Sequence, residues 1–197
     1  MIIRRISGMG FFAALLMIAA GCAPTTQLET SWKDPAAKPL AFTKVAVIVL
    51  NSSPAERRAE EDELVAQIKK ATAVASYTFV SDDELTDSQK VKSKIIQGGF
   101  DGAVVLRLID SKKQASYVPG SSSYWYDGAG YTAYSYSPGY YVTDTIIRAE
   151  ISVYSVPDGK LLWAGSSTTV NPENARNLAM QVSQAAATEL RKVGLLQ

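Results

Sequence analysis

The chain has 197 residues, of which 20 are basic and 19 acidic, and it contains no histidine and one cysteine. A hydrophobic content of 47% suits one globular domain with a sizeable core and excludes a disordered tail. The formal net charge of +1 argues against the basic surface that phosphate-backbone binding needs, so we expect no nucleic-acid partner. The missing histidine and the single cysteine exclude histidine-based catalysis, Cys–His dyads and an intramolecular disulfide.

The amino terminus predicts export. Arg4 and Arg5 form a basic region, and residues 6–20 form a short apolar run that ends at small residues. Because this run is shorter than the roughly 20 residues that span a bilayer, we interpret residues 1–21 as a cleaved signal peptide.

Residues 19–22 read Ala-Ala-Gly-Cys, which resembles the lipobox of bacterial lipoproteins. The resemblance implies that Cys22 becomes the first residue of the mature chain and carries acyl chains, which makes the membrane a partner through a lipid anchor. Lipoproteins that are retained in the inner membrane resemble one another in having aspartate directly after the lipidated cysteine. This chain has Ala23 there, which favours the periplasmic face of the outer membrane. The alternative is an ordinary secreted protein with a free thiol.

Residues 22–43 contain three prolines, which disfavour a long helix or a central strand. We therefore predict the acylated cysteine and a tether over 22–43 and a single α/β domain over 44–197. Trp32, within the predicted tether, is expected to cover an edge of the core.

The first half of the domain alternates strands and helices. Residues 45–50 are an unbroken apolar run, typical of a strand covered on both faces. A capping pattern at 53–56 starts a helix, whose charged residues 57–63 we interpret as a solvated face. Residues 77–80 suit a short strand, and a second helix that ends at Gly98 precedes an apolar strand over 103–109.

The second half ends in a hairpin and a helix. Apolar and polar residues alternate over 147–154, and the turn 157–159, Pro-Asp-Gly, leads into a partner strand that contains Trp163, a predicted core residue. An apolar stripe over 175–193 predicts the last helix. Together the elements predict an α/β (α+β-like) fold: a mixed sheet of about five strands with a C-terminal antiparallel hairpin, packed by three helices.

The segment 115–143 holds eight of the ten tyrosines, interrupted by glycine, proline and serine. We predict a long Tyr/Gly/Ser-rich loop, a kind of segment that is usually functional or disordered. Tyrosine and tryptophan combine a large flat surface with a polar group at low ordering cost, which favours a contact surface for a protein or a glycan. The alternatives are a twisted extension of the hairpin whose rings cover the sheet, and a low-complexity flap. The candidate contact residues are Tyr117, Tyr124, Trp125, Tyr126, Tyr131, Tyr134, Tyr136, Tyr140 and Tyr141.

Patterns that would support catalysis or metal binding are weak. A Ser–Lys pair near Lys112 and Lys113 lacks the glycines of a nucleophile elbow, and no acidic run has the spacing of a calcium loop. Five carboxylates with no pairing in their spacing remain for a hydrolase: Asp101, Asp110, Asp127, Asp144 and Glu150. We expect a non-enzyme without a cofactor or metal, with a carboxylate-based hydrolase as the second alternative.

Residues 44–50, 101–105 and 154–163, together with the tyrosine-rich segment, resemble an uncharacterised family of bacterial lipoproteins. More distantly, the layout is similar to the α/β domain of the curli-secretion lipoprotein, of the lipoprotein activators of penicillin-binding proteins and of the amino-terminal part of TolB. The resemblance implies a non-catalytic envelope module and transfers no site residue. We therefore predict an adaptor or regulator that binds another envelope protein through the aromatic segment, with peptidoglycan or another glycan as the alternative ligand.

Overall fold

The computed structural model describes residues 26–126 and 132–196. Its strands are β1 (Thr26–Lys33), β2 (Lys44–Leu50), β3 (Thr72–Ala75), β4 (Gly102–Val118), β5 (Ser121–Tyr126), β6 (Thr132–Ser137), β7 (Tyr140–Ser155) and β8 (Lys160–Val170). Its helices are α1 (Pro54–Gln67), α2 (Ser88–Gln97) and α3 (Ala175–Lys192). Among the described residues, none of these helices combines the length and the apolar composition needed to cross a membrane.

Six strands form one mixed sheet in the order β1-β8-β7-β4-β2-β3, and β5 and β6 form a separate two-stranded sheet. β2 is parallel to β3 and β4, whereas β4, β7, β8 and β1 pair antiparallel with one another along the order. The predicted α/β class, the mixed sheet, the three helices and the β7–β8 hairpin are confirmed.

The predicted tether is shorter in the structure, because residues 26–33 form β1 at the edge of the sheet. The side chains of Thr26 and Thr169 meet across the β1–β8 pair at 2.6 Å. The prolines at 35 and 39 lie after the strand, where they interrupt no ladder. Trp32 is 50% exposed and does not cover an edge of the core, which corrects that expectation.

The main core lies between one face of the sheet and the helices α1 and α3. Trp163 is fully buried there, as predicted, although its indole N–H has no hydrogen-bond partner among the described residues. Gly165 makes room for this ring, since a Cβ at that position would lie 2.6 Å from the indole. The packing of β8 in the main core therefore depends on the large side chain of Trp163 and on the lack of a side chain at Gly165, on the same face of the strand.

The opposite face of the sheet has a smaller core. Of the three helices described, α2 is the one that packs there, with Ile95 against Ala46, Ile48 and Ala103. The strand predicted over 77–80 is wrong: β3 ends at Ala75, and Ser76–Thr78 form a 3-10 turn. The aromatic residue Phe79 instead stacks on Phe100 at 5.0 Å between ring centroids.

Candidate functional site: a tyrosine-rich arm

The segment predicted as a loop is largely a β-structure that leaves the main sheet. β2 pairs with β4 only as far as Arg107, and β8 pairs with β7 only from Ile146 onwards. β4 and β7 continue together beyond these points as far as the pair Val118–Tyr140. We call the described residues 113–126 and 132–145 the arm.

Pairing of tyrosines across the two strands explains why this segment forms β-structure although it contains glycine and proline. The ladder pairs Tyr117 with Tyr141 and, further out, Tyr124 with Tyr134. Aromatic and β-branched residues favour strands, and the glycines and prolines fall between the paired runs. The prediction of a long loop is therefore wrong over the described part of 115–143, and the alternative of a hairpin extension describes its backbone better. The rings that are described point to solvent rather than cover the sheet.

Two asparagines with left-handed backbones lie where the arm leaves the sheet. Asn51, at φ 66°, follows β2, and its side-chain amide donates to the carbonyl of Leu108 at 2.9 Å. Asn171, at φ 50°, follows β8 and exchanges two hydrogen bonds with Thr145, of 2.7 and 2.8 Å. Its side-chain amide also donates to Asp144 at 2.7 Å. The strands β2 and β8 thus each end at a left-handed asparagine, whose hydrogen bonds attach that end to β4 or β7 next to the arm.

The arm has an inner and an outer half joined at two glycines. The inner half is the β4–β7 ladder and the outer half is the β5–β6 ladder. A Cβ at Gly120 would lie 2.6 Å from the carbonyl oxygen of Ser137, and a Cβ at Gly139 would lie 2.9 Å from the backbone nitrogen of Gly120. The close approach of the two connections therefore requires glycine at both positions.

The rings form two exposed pairs. Tyr117 and Tyr141 have ring centroids 5.1 Å apart at 51°, and Tyr124 and Tyr134 have centroids 5.1 Å apart at 44°. Tyr124 is 75% exposed and Tyr141 is 76% exposed. Two further tyrosines of the candidate set, Tyr136 and Tyr140, are also exposed. A cluster of exposed large rings on one element is typical of an interaction surface.

The remaining residues of the candidate set are placed by register or lie outside the described part. Trp125 and Tyr126 lie in β5, opposite Ala133 and Thr132. Tyr131, the lipidation candidate Cys22 and the signal peptide 1–21 lie outside the described residues.

Charge is almost absent from the arm. Among its described residues, the charged side chains are Lys113 and Asp144, both near its base. Asp144 is engaged by Asn171 and by the hydroxyl of Ser116, at 3.4 Å. Beyond these residues the described arm presents hydroxyls and rings, so recognition there depends on stacking and hydrogen bonds rather than on electrostatic attraction.

The carboxylates considered for hydrolysis are engaged in structural contacts. Burial raises the pKa of Asp101, but hydrogen bonds from Thr43 and Lys44 outweigh it and lower the pKa overall. These hydrogen bonds connect the residue before β4 to the start of β2. A hydrogen bond from Lys112 lowers the pKa of Asp110. Glu150 accepts from Ser152 at 3.4 Å, and Asp127 lies outside the described residues. Within 26–126 and 132–196 no cluster of three acidic side chains is arranged to hold a metal.

The structure corrects the interpretation of the α1 charges as a solvated face for three of the six, whereas Arg58 and Asp62 are exposed and Glu63 is half-buried. Arg57, Glu60 and Glu61 are each at most 2% exposed. Arg57 donates to Glu61 at 3.0 Å and to Asp82 at 2.6 Å, and its guanidinium also reaches Ser76. These contacts attach α1 to the segment after β3, which is a structural role.

Glu61 completes this buried network through four hydrogen bonds. Its carboxylate accepts from the backbone N–H groups of Val49 and Tyr77, at 3.1 and 2.9 Å, and from the hydroxyl of Ser76, at 2.7 Å. The fourth donor is Arg57. A buried charge that is paired and fully hydrogen-bonded is tolerated in a core, whereas removing one partner is costly.

Glu60 is less well satisfied. Its Oε2 accepts from the hydroxyl of Ser52 at 2.5 Å, but its buried Oε1 has no hydrogen-bond partner among the described residues. Burial raises the pKa of Glu60 to about 7, partly offset by the Ser52 hydrogen bond and reinforced by the charges of Glu56 and Glu61. Glu60 lines neither of the two cavities described, and its titration is expected to change the stability of the fold.

No protein-family model and no curated protein matches the sequence. A PelC variant dodecamer from Paraburkholderia phytofirmans matches the structure with a TM-score of 0.46 and 9% identity, over 87% of this chain and 98% of that chain. TolB from Acinetobacter baumannii matches with a TM-score of 0.41 and 14% identity, over 84% of this chain and 32% of TolB. Lipoprotein GNA1162 from Neisseria meningitidis matches with a TM-score of 0.41 and 12% identity, over 76% of this chain and 99% of that chain. At such scores the likeness carries no conclusion about function or assembly.

Proposed function

We propose that the protein is a non-catalytic, lipid-anchored adaptor on the periplasmic face of the outer membrane, and that it docks another envelope protein through the arm. The observation that carries the proposal is the pair of exposed tyrosine clusters on a two-stranded ladder that has no neighbouring strand within residues 26–126 and 132–196. The export and lipobox patterns at residues 1–22 support the location.

The energetics of the arm favour a protein partner. An isolated two-stranded ladder is marginally stable in water, and its open edges leave backbone N–H and C=O groups unpaired. A partner that adds a strand or packs on the rings satisfies these groups and buries the aromatic surface. The rings also stand tilted against each other rather than forming one flat platform for a sugar, which makes a glycan the second choice.

In-cell photo-crosslinking tests the proposal on the full lipidated chain. A photoreactive amino acid replaces Tyr124 in one variant and Trp32 in the control, since Trp32 is also an exposed aromatic but lies on the edge strand β1, outside the arm. We expect a discrete heavier adduct from position 124 and none from position 32. Equal labelling from both positions, or none from position 124, would contradict docking by the arm.

A deletion separates docking from folding. Removing residues 121–137 joins Gly120 to Pro138 and leaves a four-residue loop between Val118 and Tyr140, which are already paired. We expect the domain to keep its thermal transition and to lose the partner adduct formed from a photoreactive residue at position 141. A retained adduct argues against the outer half as the docking surface. If the intact protein co-sediments with purified peptidoglycan and the deletion variant does not, the ligand of the arm is a glycan and not a protein.

A further inference from the structure

A cavity lies on the face of the sheet opposite the main core, beside the smaller core. α2 covers only part of the sheet face above β2, β4 and β7, and a cavity of about 360 Å³ remains beside it. The floor and walls are mostly apolar, with Ile48, Leu50, Val91, Val105 and Val156 among the lining residues. This volume is in the range of small-molecule binding sites.

The helix side of this cavity is incompletely covered. Ile96 of α2 lines the cavity and is 55% exposed, whereas its neighbour Ile95 is buried in the smaller core. A large aliphatic side chain exposed at the mouth of an apolar cavity adds to the surface that a bound chain would remove from water.

The charges at the cavity have one sign. Of its fifteen lining residues, the charged ones are Lys92 on α2 and Arg107 on β4. Neither forms an ion pair with another described residue. The two other lysines of α2 differ in this respect, because Lys90 pairs with Asp87 and Lys94 pairs with Glu84.

Two acidic residues adjacent to lining residues of the cavity make contacts elsewhere. Glu150 lies opposite Arg107 in the β4–β7 ladder, but its carboxylate is beyond ion-pair distance and accepts from Ser152. Asp158, beside the cavity, accepts from the hydroxyl of the lining residue Ser155 at 2.7 Å. The cavity thus combines an apolar interior with two unpaired cations.

We propose that this cavity binds a single long-chain carboxylate, the anion of a fatty acid. Its alkyl chain lies along Ile48, Val91 and Ile96, and its carboxylate is bound by Lys92 and Arg107. Apolar burial supplies affinity and the cations select the anionic head group. This site is separate from the arm, so it stands or falls independently of the proposed docking function.

Photo-labelling of the full lipidated chain in membrane vesicles tests the site. The probe is a palmitate analogue with a diazirine on its chain and an alkyne tag, and labelled peptides are mapped by mass spectrometry. We expect saturable labelling of α2 and of β4 residues 102–107, with competition by palmitate weakening about 4-fold for each methylene removed. Competition by the alcohol of equal chain length should be at least about 10-fold weaker, since it lacks the charge. Equal competition by the alcohol, or labelling spread evenly over the chain, would overturn the proposal.

Two adjacent substitutions on α2 provide a matched pair. Ile96→Glu places a negative charge in the cavity and is expected to reduce labelling of these peptides about 10-fold, whereas Gln97→Glu, which is also exposed but does not line this cavity, is expected to leave it unchanged. Should Ile96→Glu fail to fold, the double substitution Lys92→Gln with Arg107→Gln is compared with Lys38→Gln and Arg176→Gln, which remove two exposed cations elsewhere. Equal labelling within either pair would refute the site.

Discussion

Replacing Glu60 by glutamine is expected to stabilise the protein above neutral pH. Glu60 is 1% exposed, and one of its carboxyl oxygens has no hydrogen-bond partner among the described residues. Glutamine keeps the shape and an oxygen that can accept from Ser52, but it carries no charge to bury. The substitution therefore removes the desolvation penalty while retaining the contact.

The size of the effect follows from the pKa. Folding raises the pKa of Glu60 from 4.5 to about 7, so the folded state binds the proton of this carboxyl more tightly than the unfolded state does. The resulting stability is fully present below pH 4.5 and is lost as the pH rises towards 7. At about 1.4 kcal/mol per pH unit, the loss amounts to about 3 kcal/mol by pH 8.

Urea unfolding between pH 4.5 and pH 8 measures this effect. The stability of Glu60→Gln relative to the unchanged protein should be near zero at pH 4.5 and grow to about 3 kcal/mol at pH 8. Glu63→Gln, a half-buried glutamate on the same helix, is the control and should show no such growth. If the two variants depend on pH alike, or if Glu60→Gln is destabilising at pH 8, the buried-carboxyl argument is refuted.

Further predictions concern the buried network, the sheet and the arm. Arg57→Met should lower the free energy of unfolding by about 3–5 kcal/mol in urea, since buried Glu61 loses its cation, and a loss below about 1 kcal/mol would contradict this. Gly165→Ala should cost about 1–3 kcal/mol in the same assay because its Cβ would meet the Trp163 ring; an unchanged midpoint would mean that the ring moves freely. Asn171→Ala should be less stable to heat than Asn171→Gly, since only glycine accepts φ 50° without strain, and the reverse order would refute the argument. Tyr124→Ser should change the free energy of unfolding by less than about 0.5 kcal/mol yet weaken partner capture in a pull-down; a large loss of stability would show the ring to be structural.

Local patterns were sufficient where one short segment contains the whole cause. The α1 start is an example: Ser53 and Glu56 form the reciprocal capping box that their spacing predicts. The turn after β7 is another, since Gly159 adopts a left-handed backbone where the Pro-Asp-Gly pattern requires it. Trp163 in the core follows equally from its place in an alternating strand.

Patterns failed where the deciding partner is distant in sequence. β1 is a strand because β8, more than a hundred residues later, offers it an edge. Arg57 and Glu61 look like surface charges until Ser76 and Asp82 are brought to them by the β2–β3 crossover. Glycine and proline in the tyrosine-rich segment predict a loop when considered alone, whereas the cross-strand pairing of tyrosines makes most of the described segment a ladder.

The amino-acid sequence by itself predicted an export signal and a lipid anchor, and it determined the α/β class and the concentration of tyrosine in one segment, because each depends on composition or on neighbours within a few residues. Only the tertiary structure decided that these tyrosines stand on a two-stranded arm, that three charges of α1 are buried, and that an apolar cavity has two unpaired cations among its lining residues. These features depend on which distant segments meet. Contacts of that kind are selected by packing and by satisfaction of buried polar groups over the whole domain, and no local pattern encodes them.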